Sequence, residues 1–306
     1  MGTGLYIASG VVQLDTLLGG WERVTASYLV EGPAPLLVET GSQTSAPTLL
    51  RALADHGLGP ADLAGIVVTH VHLDHAGGVG DIASAFPQAT VYVHEKGARH
   101  LADPTRLVAS AHSVYGDALG KLYGRMAPTP AERLHVLADG EAVQVGGGRT
   151  LTALYSPGHA KHHMALMDSA TGVLFVGDAV GVHLPGAGAL WPATPPADFD
   201  LGQALHSLSL FAKARPSALA LAHFGLLDGE PAEQLEVAAE LLREWAAVAK
   251  AAWAKGQDVT SALTERFGAS LAAMAPEQRA RLQALNGLQS NAAGLSGWLS
   301  RSRPDG

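Results

Sequence analysis

The stretch Thr69-His70-Val71-His72-Leu73-Asp74-His75 follows directly on the apolar run Gly65-Ile66-Val67-Val68, and it restricts this chain more than any other. A β-rich run that empties into three imidazoles and a carboxylate delivers several metal-binding atoms to one point at the edge of a sheet. The bland reading is a polar loop with ordinary solvated side chains. Further ligand types in matching settings argue against it. Ser156-Pro157-Gly158-His159, Phe175-Val176-Gly177-Asp178 and Leu221-Ala222-His223 each follow a strand-like run and present a His or Asp where it ends. On an extended segment, alternation puts His70 and His72 on one side, within reach of one ion. After the turn, Asp74 and His75 can reach a second ion. Glycines at 158 and 177 allow tight turns beside the site.

Composition narrows the rest. At 306 residues, 47% hydrophobic and 16% charged, the chain has globular composition and enough length for a sizeable core. It has no cysteine, which excludes disulfides, thiolate nucleophiles and Cys-ligated metals. The formal net charge is −8 and no dense basic run exists, so a nucleic-acid partner is not expected. We read no signal peptide and no apolar stretch long enough to span a bilayer. The expectation is a cytoplasmic protein with a small-molecule substrate and no membrane or nucleic-acid partner.

The pattern along the chain is α/β. Strands are expected at Ile7 to Leu14, Ala26 to Glu31, Leu36 to Glu39, Ile66 to Val68, Thr90 to His94, Ala142 to Val145, Leu151 to Tyr155, Met164 to Asp168, Val173 to Val176 and Leu219 to Ala222. Helices are expected at Leu49 to His56, Val79 to Phe86 and Leu201 to Ala214. Residues 98–132 read as a mostly helical excursion, either a lid over a pocket or a plain surface insertion. Residues 181–200 form a Pro/Gly-rich loop of the kind that often borders a site. From about Glu230, Ala, Leu, Glu and Arg dominate, predicting two to four helices and a frayed end over 301–306. The division expected is a catalytic domain over 1–228 and a helical extension over 229–306, whose Ala- and Leu-rich faces also suit a homo-oligomer.

HVHLDH, SPGH, the Gly-Asp after an apolar strand and the final His resemble, in order and spacing, the metallo-β-lactamase superfamily. The resemblance implies a four-layer αββα sandwich with two divalent metal ions at one edge of its sheets. It implies that His70, His72 and His159 hold the first ion, that Asp74, His75 and His223 hold the second, and that Asp178 bridges both. A water shared by such ions ionises near neutral pH and attacks an electrophilic carbon or phosphorus, with Asp74 accepting or relaying a proton. Imidazole and carboxylate ligands suit zinc, with iron and manganese as alternatives. The absence of a Cys at the Asp178 position and the presence of His72 set the chain apart from class B1 β-lactamases and flavodiiron proteins. The ligand set is similar to that of glyoxalase II, quorum-quenching lactonases and RNase Z. An ester or thioester hydrolase of the glyoxalase II type is the leading expectation, with a lactonase next. A nuclease is disfavoured by the acidic balance, and a non-enzymatic scaffold by the complete ligand set.

Four more residues attract attention. Glu39-Thr40-Gly41 stands where many family members carry Asp-Thr-Gly, so Glu39 can support a ligand histidine. His163, four residues after His159, suits a hydrogen bond behind the site. His183, in the 181–200 loop, suits substrate contact, and Trp191 in the same loop suits a pocket wall. His94, His100, His112, His135 and His206 show no partner spacing and read as structural or exposed.

Overall fold

The computed structural model describes residues 4–302 except 187 and 189, and the side chains of 113–115 are also outside the description. Seven strands form the first sheet in chain order: β1 (Leu5–Ala8), β2 (Val11–Asp15), β3 (Ala26–Val30), β4 (Leu36–Val38), β5 (Gly65–Val67), β6 (Thr90–His94) and β7 (Leu134–Leu137). β1 to β4 are antiparallel, and β4 to β7 run parallel. The second sheet has the order β13-β12-β11-β10-β9-β8, built from β8 (Ala142–Gly146), β9 (Arg149–Tyr155), β10 (Met164–Asp168), β11 (Val173–Gly177), β12 (Ala218–Leu221) and β13 (Gly225–Leu226).

Alternation along the strands explains the layers. Tyr28, Val30, Leu36, Val38 and Val67 from the first sheet meet Leu151, Leu166, Val173 and Phe175 from the second, forming an inner core. The intervening Leu29, Leu37, Ile66, Leu174 and Leu219 belong to the other core cluster, with the helices. Both faces of the central strands are buried, so these runs are apolar throughout rather than alternating with polar residues.

The helices are α1 (Ala46–Asp55), α2 (Leu73–Ala76), α3 (Val79–Ala85), α4 (Glu95–Ala102), α5 (Thr105–Tyr115), α6 (Ala118–Leu122), α7 (Leu201–Ala214), α8 (Pro231–Ala254), α9 (Val259–Ala272), α10 (Pro276–Asn286) and α11 (Leu288–Arg301). Asp200 caps α7 by accepting from Gln203 N at 2.8 Å, and Asp258 caps α9 by accepting from Ser261 N at 2.7 Å. The four C-terminal helices are not a separate ball. Trp245, Leu242, Leu263, Phe267, Leu295 and Trp298 share one buried cluster with Phe211, Leu208 and Val176 of the sandwich.

Several expectations change in detail. The strand expected over 7–14 is two strands, because the chain turns at Gly10, where φ is 62°. Edge strands β7 and β13 were not foreseen; β7 is half exposed and β13 spans only two residues, so neither carries a strong apolar pattern. The excursion is helical, as α4, α5 and α6. Of the end expected to fray, Arg301 is held by a hydrogen bond to Phe199 O at 2.8 Å, and 303–306 lie outside the described residues.

Candidate metal centre

Parallel pairing decides where the site forms. β4 and β5 run parallel, as do β11 and β12, and β9 runs in the direction of β11 because β10 is antiparallel to both. The segments after β4, β5, β9, β11 and β12 therefore leave the sandwich at one edge. Those segments carry Glu39, His70 to His75, His159, Asp178 and His223. Hydrogen bonds fasten the two sheets there: Met164 N donates to Thr69 O and Ala26 N to Ala222 O, each at 2.8 Å.

Three overlapping groups of ligand atoms result: His70, His72 and His159; Asp74, His75 and His223; and Glu39, His70 and His75. His70 Nε2 lies 3.0 Å from His72 Nδ1, and His159 Nε2 lies 3.1 Å from the same atom. Beside them, His223 Nε2 lies 3.5 Å and His75 Nε2 3.8 Å from Asp74 Oδ2. In each cluster the ligand atoms lie within 4.8 Å of one another. Asp178 stands between the first two. Its Oδ1 is 3.3 Å from both His75 Nε2 and His223 Nε2, and its Oδ2 is 3.6 Å from His159 Nε2.

The far ring nitrogens are anchored, which fixes how each imidazole points. His159 Nδ1 donates to Ala193 O at 3.1 Å, and His223 Nδ1 to Val24 O at 3.0 Å. His70 Nδ1 meets Thr69 Oγ1 at 2.9 Å. Glu39 accepts from Thr69 N at 3.1 Å through one oxygen and lies 3.6 Å from His75 Nδ1 through the other. Two glycines permit this crowding. A Cβ on Gly177 would fall 2.5 Å from Thr69 Oγ1, and one on Gly158 would fall 2.3 Å from Ala204 N.

The electrostatics divide in the same way. Burial pushes His70 well below its ordinary range, and the neighbouring imidazoles add to this. Burial, with His159 beside it, lowers His72 to about 4. For His223 burial also pulls down, but Asp178 and Asp74 outweigh it and raise the group to about 9. His75 is raised well above its usual value, because Asp178, Asp74 and Glu39 overcome its burial. Burial would raise Asp74, yet His75 and His223 bring it down to about 2. Asp178 lies well below the usual carboxylate range for the same reason, with His223 and His75 outweighing burial. His70 and His72 are thus neutral, while Asp178 and Asp74 hold protons on His75 and His223, drawing positive charge to the place a divalent cation would take among imidazole and carboxylate donors. The buried atoms agree: His75 Nδ1 and Nε2 and Asp178 Oδ1 have no hydrogen-bond partner among the described residues.

Sequence homology and structural likeness point the same way. Residues 20–223 match the family profile described as the metallo-beta-lactamase superfamily. The chain belongs to that superfamily. It is 30% identical over 172 residues to the metallo-beta-lactamase fold-containing protein ST1585 of Sulfurisphaera tokodaii, covering 55% of this chain and 63% of that one. The crystal structure of ST1585 aligns with a TM-score of 0.64 at 25% identity, over 77% of this chain and 86% of ST1585. A hydroxyacylglutathione hydrolase of Synechococcus sp. is 29% identical over 185 residues, 60% of this chain and 58% of the hydrolase. In both sequence matches the chain spans less than two thirds of the relative. The metallo-beta-lactamase family protein TTHA1429 of Thermus thermophilus shares the fold over 96% of this chain and 94% of its own, with a TM-score of 0.67 at 22% identity. The expected αββα architecture with C-terminal helices is therefore observed.

The residues expected at the site come together except His183 and Trp191. His163 sits behind His70, its ring 5.3 Å away and its Nδ1 2.9 Å from Ser156 Oγ. His183 does not line the cavity beside the clusters. Its N–H donates to His223 O at 2.5 Å and its carbonyl accepts from Phe224 N at 3.2 Å, so it braces the His223 loop through the backbone. Trp191 is no pocket wall either: it packs edge-on against Trp245 of α8, 5.8 Å between ring centres. Conversely, His100 lines the cavity, together with Lys96, Arg99 and Arg106. Sequence reasoning passed over these because they carry no ligand spacing; a cluster of cations on one short helical stretch was the available signal. Asn291 was also missed. It is buried, accepts from Thr194 N and Oγ1 at 2.7 Å each, and so holds the segment whose Ala193 carbonyl orients His159.

Proposed function

We propose that the chain is a binuclear metal-dependent hydrolase acting on a small ester or thioester. The observation that carries this is Asp178 standing between two three-ligand clusters, with one oxygen 3.3 Å from His75 and His223 and the other 3.6 Å from His159. His70, His72 and His159 would hold one ion and Asp74, His75 and His223 the other, with Asp178 shared. Two divalent ions so held would lower the pKa of a water towards neutrality and would stabilise developing negative charge. The donor set suits zinc, with iron or manganese as alternatives.

The protein's own part is positioning and proton handling. Asp74 is less deeply buried than Asp178 and borders the cavity, where its carboxylate could take a proton from a water and return it to the departing group. A cavity of about 510 Å³ beside the clusters suits a small-molecule substrate. The hydroxyacylglutathione hydrolase relative favours a thioester. The apolar walls from Leu73, Leu107, Val182 and Leu285 also suit an acyl lactone, which is the second reading. The test is metal analysis of purified protein combined with a screen of thioesters, esters, lactones and phosphodiesters. The proposal expects about two ions per chain and turnover of a thioester or ester. Phosphodiester turnover alone, or full activity after metal removal, would overturn it.

A further inference from the structure

The cavity's floor and mouth differ in charge. His159, Asp178 and His223 are buried, whereas Lys96, Arg99, Arg106 and Lys161, which line the same cavity, are exposed and so form its rim. The chain has 20 Lys and Arg in 306 residues and a net charge of −8, which makes four at one opening a concentration rather than a background. Two are already engaged. Lys161 pairs with Asp198 at 3.1 Å, and Lys96 Nζ donates to Tyr155 Oη at 2.9 Å. Arg99 donates through Nε to His100 Nε2 at 3.2 Å, which leaves both its terminal NH₂ groups without a partner among the described residues. Arg106 makes no ion pair among the described residues; its charge acts on the nearby Asp103, which accepts from the Thr105 N–H at 3.1 Å and hydroxyl at 2.6 Å. Burial and then Arg99 push His100 below its ordinary range, with Asp198 opposing them.

The rim is held close to the metal loop by packing. A Cβ on Gly97 would lie 2.8 Å from Val71 Cγ1 and 2.9 Å from Val93 Cγ2, so α4 rests directly on the segment between His70 and His72. Lys96 and Arg99 flank that contact, one and two residues away. Leu107, Pro195 and Leu285 line the same cavity and give it apolar wall.

We propose that the substrate is an ester or thioester with a carboxylate or phosphate on the portion remote from the scissile carbonyl, bound by Arg99 and Arg106 with Lys96 assisting. This rests on the hydrolase reading above and specifies its substrate class. Guanidinium groups recognise both oxyanions through paired N–H donors.

The test compares three acetyl thioesters on metal-loaded protein: S-acetyl-N-acetylcysteamine, which is neutral, S-acetyl-mercaptosuccinate, which carries carboxylates, and S-acetyl-phosphopantetheine, which carries phosphate. The expected result is that kcat/KM favours an anionic thioester over the neutral one by about tenfold or more, mainly through KM, and that the preference shrinks as ionic strength rises. Whichever anionic thioester leads identifies the group. The double variant Arg99→Gln/Arg106→Gln should lower that ratio about fivefold or more at unchanged metal content, Arg99→Lys/Arg106→Lys should restore part of it, and Arg243→Gln on α8 should leave it unmoved. Equal kcat/KM for all three, or a ratio indifferent to the double variant, overturns the proposal while leaving the hydrolase reading intact. If none of the three thioesters is turned over, the hydrolase reading is decided by the ester and lactone screen above, and calorimetric titration with mercaptosuccinate and phosphopantetheine tests the rim directly. Binding weakened by the double variant supports the anion site; no binding overturns it.

Discussion

Glu39 shows how one side chain can brace the histidine loop at two points. Its carboxylate holds the Thr69 amide at the start of the histidine loop and faces His75 Nδ1. The residue sits at φ 65°, a left-handed conformation that costs a non-glycine residue roughly 1–2 kcal/mol, so the surrounding contacts must hold it there. Glu39→Ala should weaken metal binding about 10–100-fold, measured by titration against a competing chelator. Glu39→Gln should do less harm, since an amide oxygen can still accept from Thr69. Unaltered affinity in Glu39→Ala would remove it from the account. At this scale much of the site was legible. His70, His72, Asp74, His75, His159, Asp178 and His223 stood out because each follows a strand-like run. What was not legible was direction. Nothing in the sequence says that His183 turns its backbone to His223, or that Trp191 points into the α8 packing instead of the cavity.

At the scale of elements, the C-terminal helices meet the site through a short relay. Asn291 on α11 and Asn286 at the end of α10 hold the segment 192–194, Asn286 by donating to Pro192 O at 2.8 Å. α11 comes so close that a Cβ on Gly294 would lie 2.0 Å from Thr194 O. Asn291→Ala would leave Thr194 N and Oγ1 buried without their side-chain acceptor, at a cost of about 1–3 kcal/mol. Denaturant unfolding should show that loss, and metal titration should show a weaker first ion, because Ala193 O would no longer be fixed against His159. A stability loss with both ions bound as tightly as before would refute the relay. This coupling was invisible in sequence, since Thr194 and Asn291 are ninety-seven positions apart and neither resembles a ligand. The helices themselves were legible: α7 spans the residues expected from its apolar spacing, whereas the edge strands β7 and β13 gave too little pattern.

Across the whole molecule, two features bind the layers together. Arg149 on β9 pairs with the fully buried Asp168 at 2.6 Å and also donates to Gly10 O and Glu31 O of the first sheet. Burial pushes Asp168 up, but the Arg149 and Thr171 hydrogen bonds outweigh it and hold the group below its ordinary value. A depressed folded-state pKa contributes stability above the unfolded carboxylate range, and that stability is lost as pH falls through the folded value. Arg149→Met should therefore cost about 3–5 kcal/mol near neutral pH, by denaturant unfolding, with the gap to the parent narrowing in strong acid. A gap that does not change with pH would show that the pair is not its source. The second feature is the shared core of α8, α9 and α11 with the sandwich. Truncation at residue 228 should expose that apolar surface and yield aggregated or unfolded protein, read by gel filtration and circular dichroism. A stable, monomeric fragment with a cooperative melt would contradict it.

The central claim is that seven side chains from distant strand ends surround two ions. Anomalous diffraction at the zinc edge, on crystals grown from zinc-loaded protein, tests it most directly. The account predicts two peaks about 3.5–4 Å apart, one among His70, His72 and His159, the other among Asp74, His75 and His223, with Asp178 touching both. A single peak, or peaks bound elsewhere with Asp178 unligated, would contradict it.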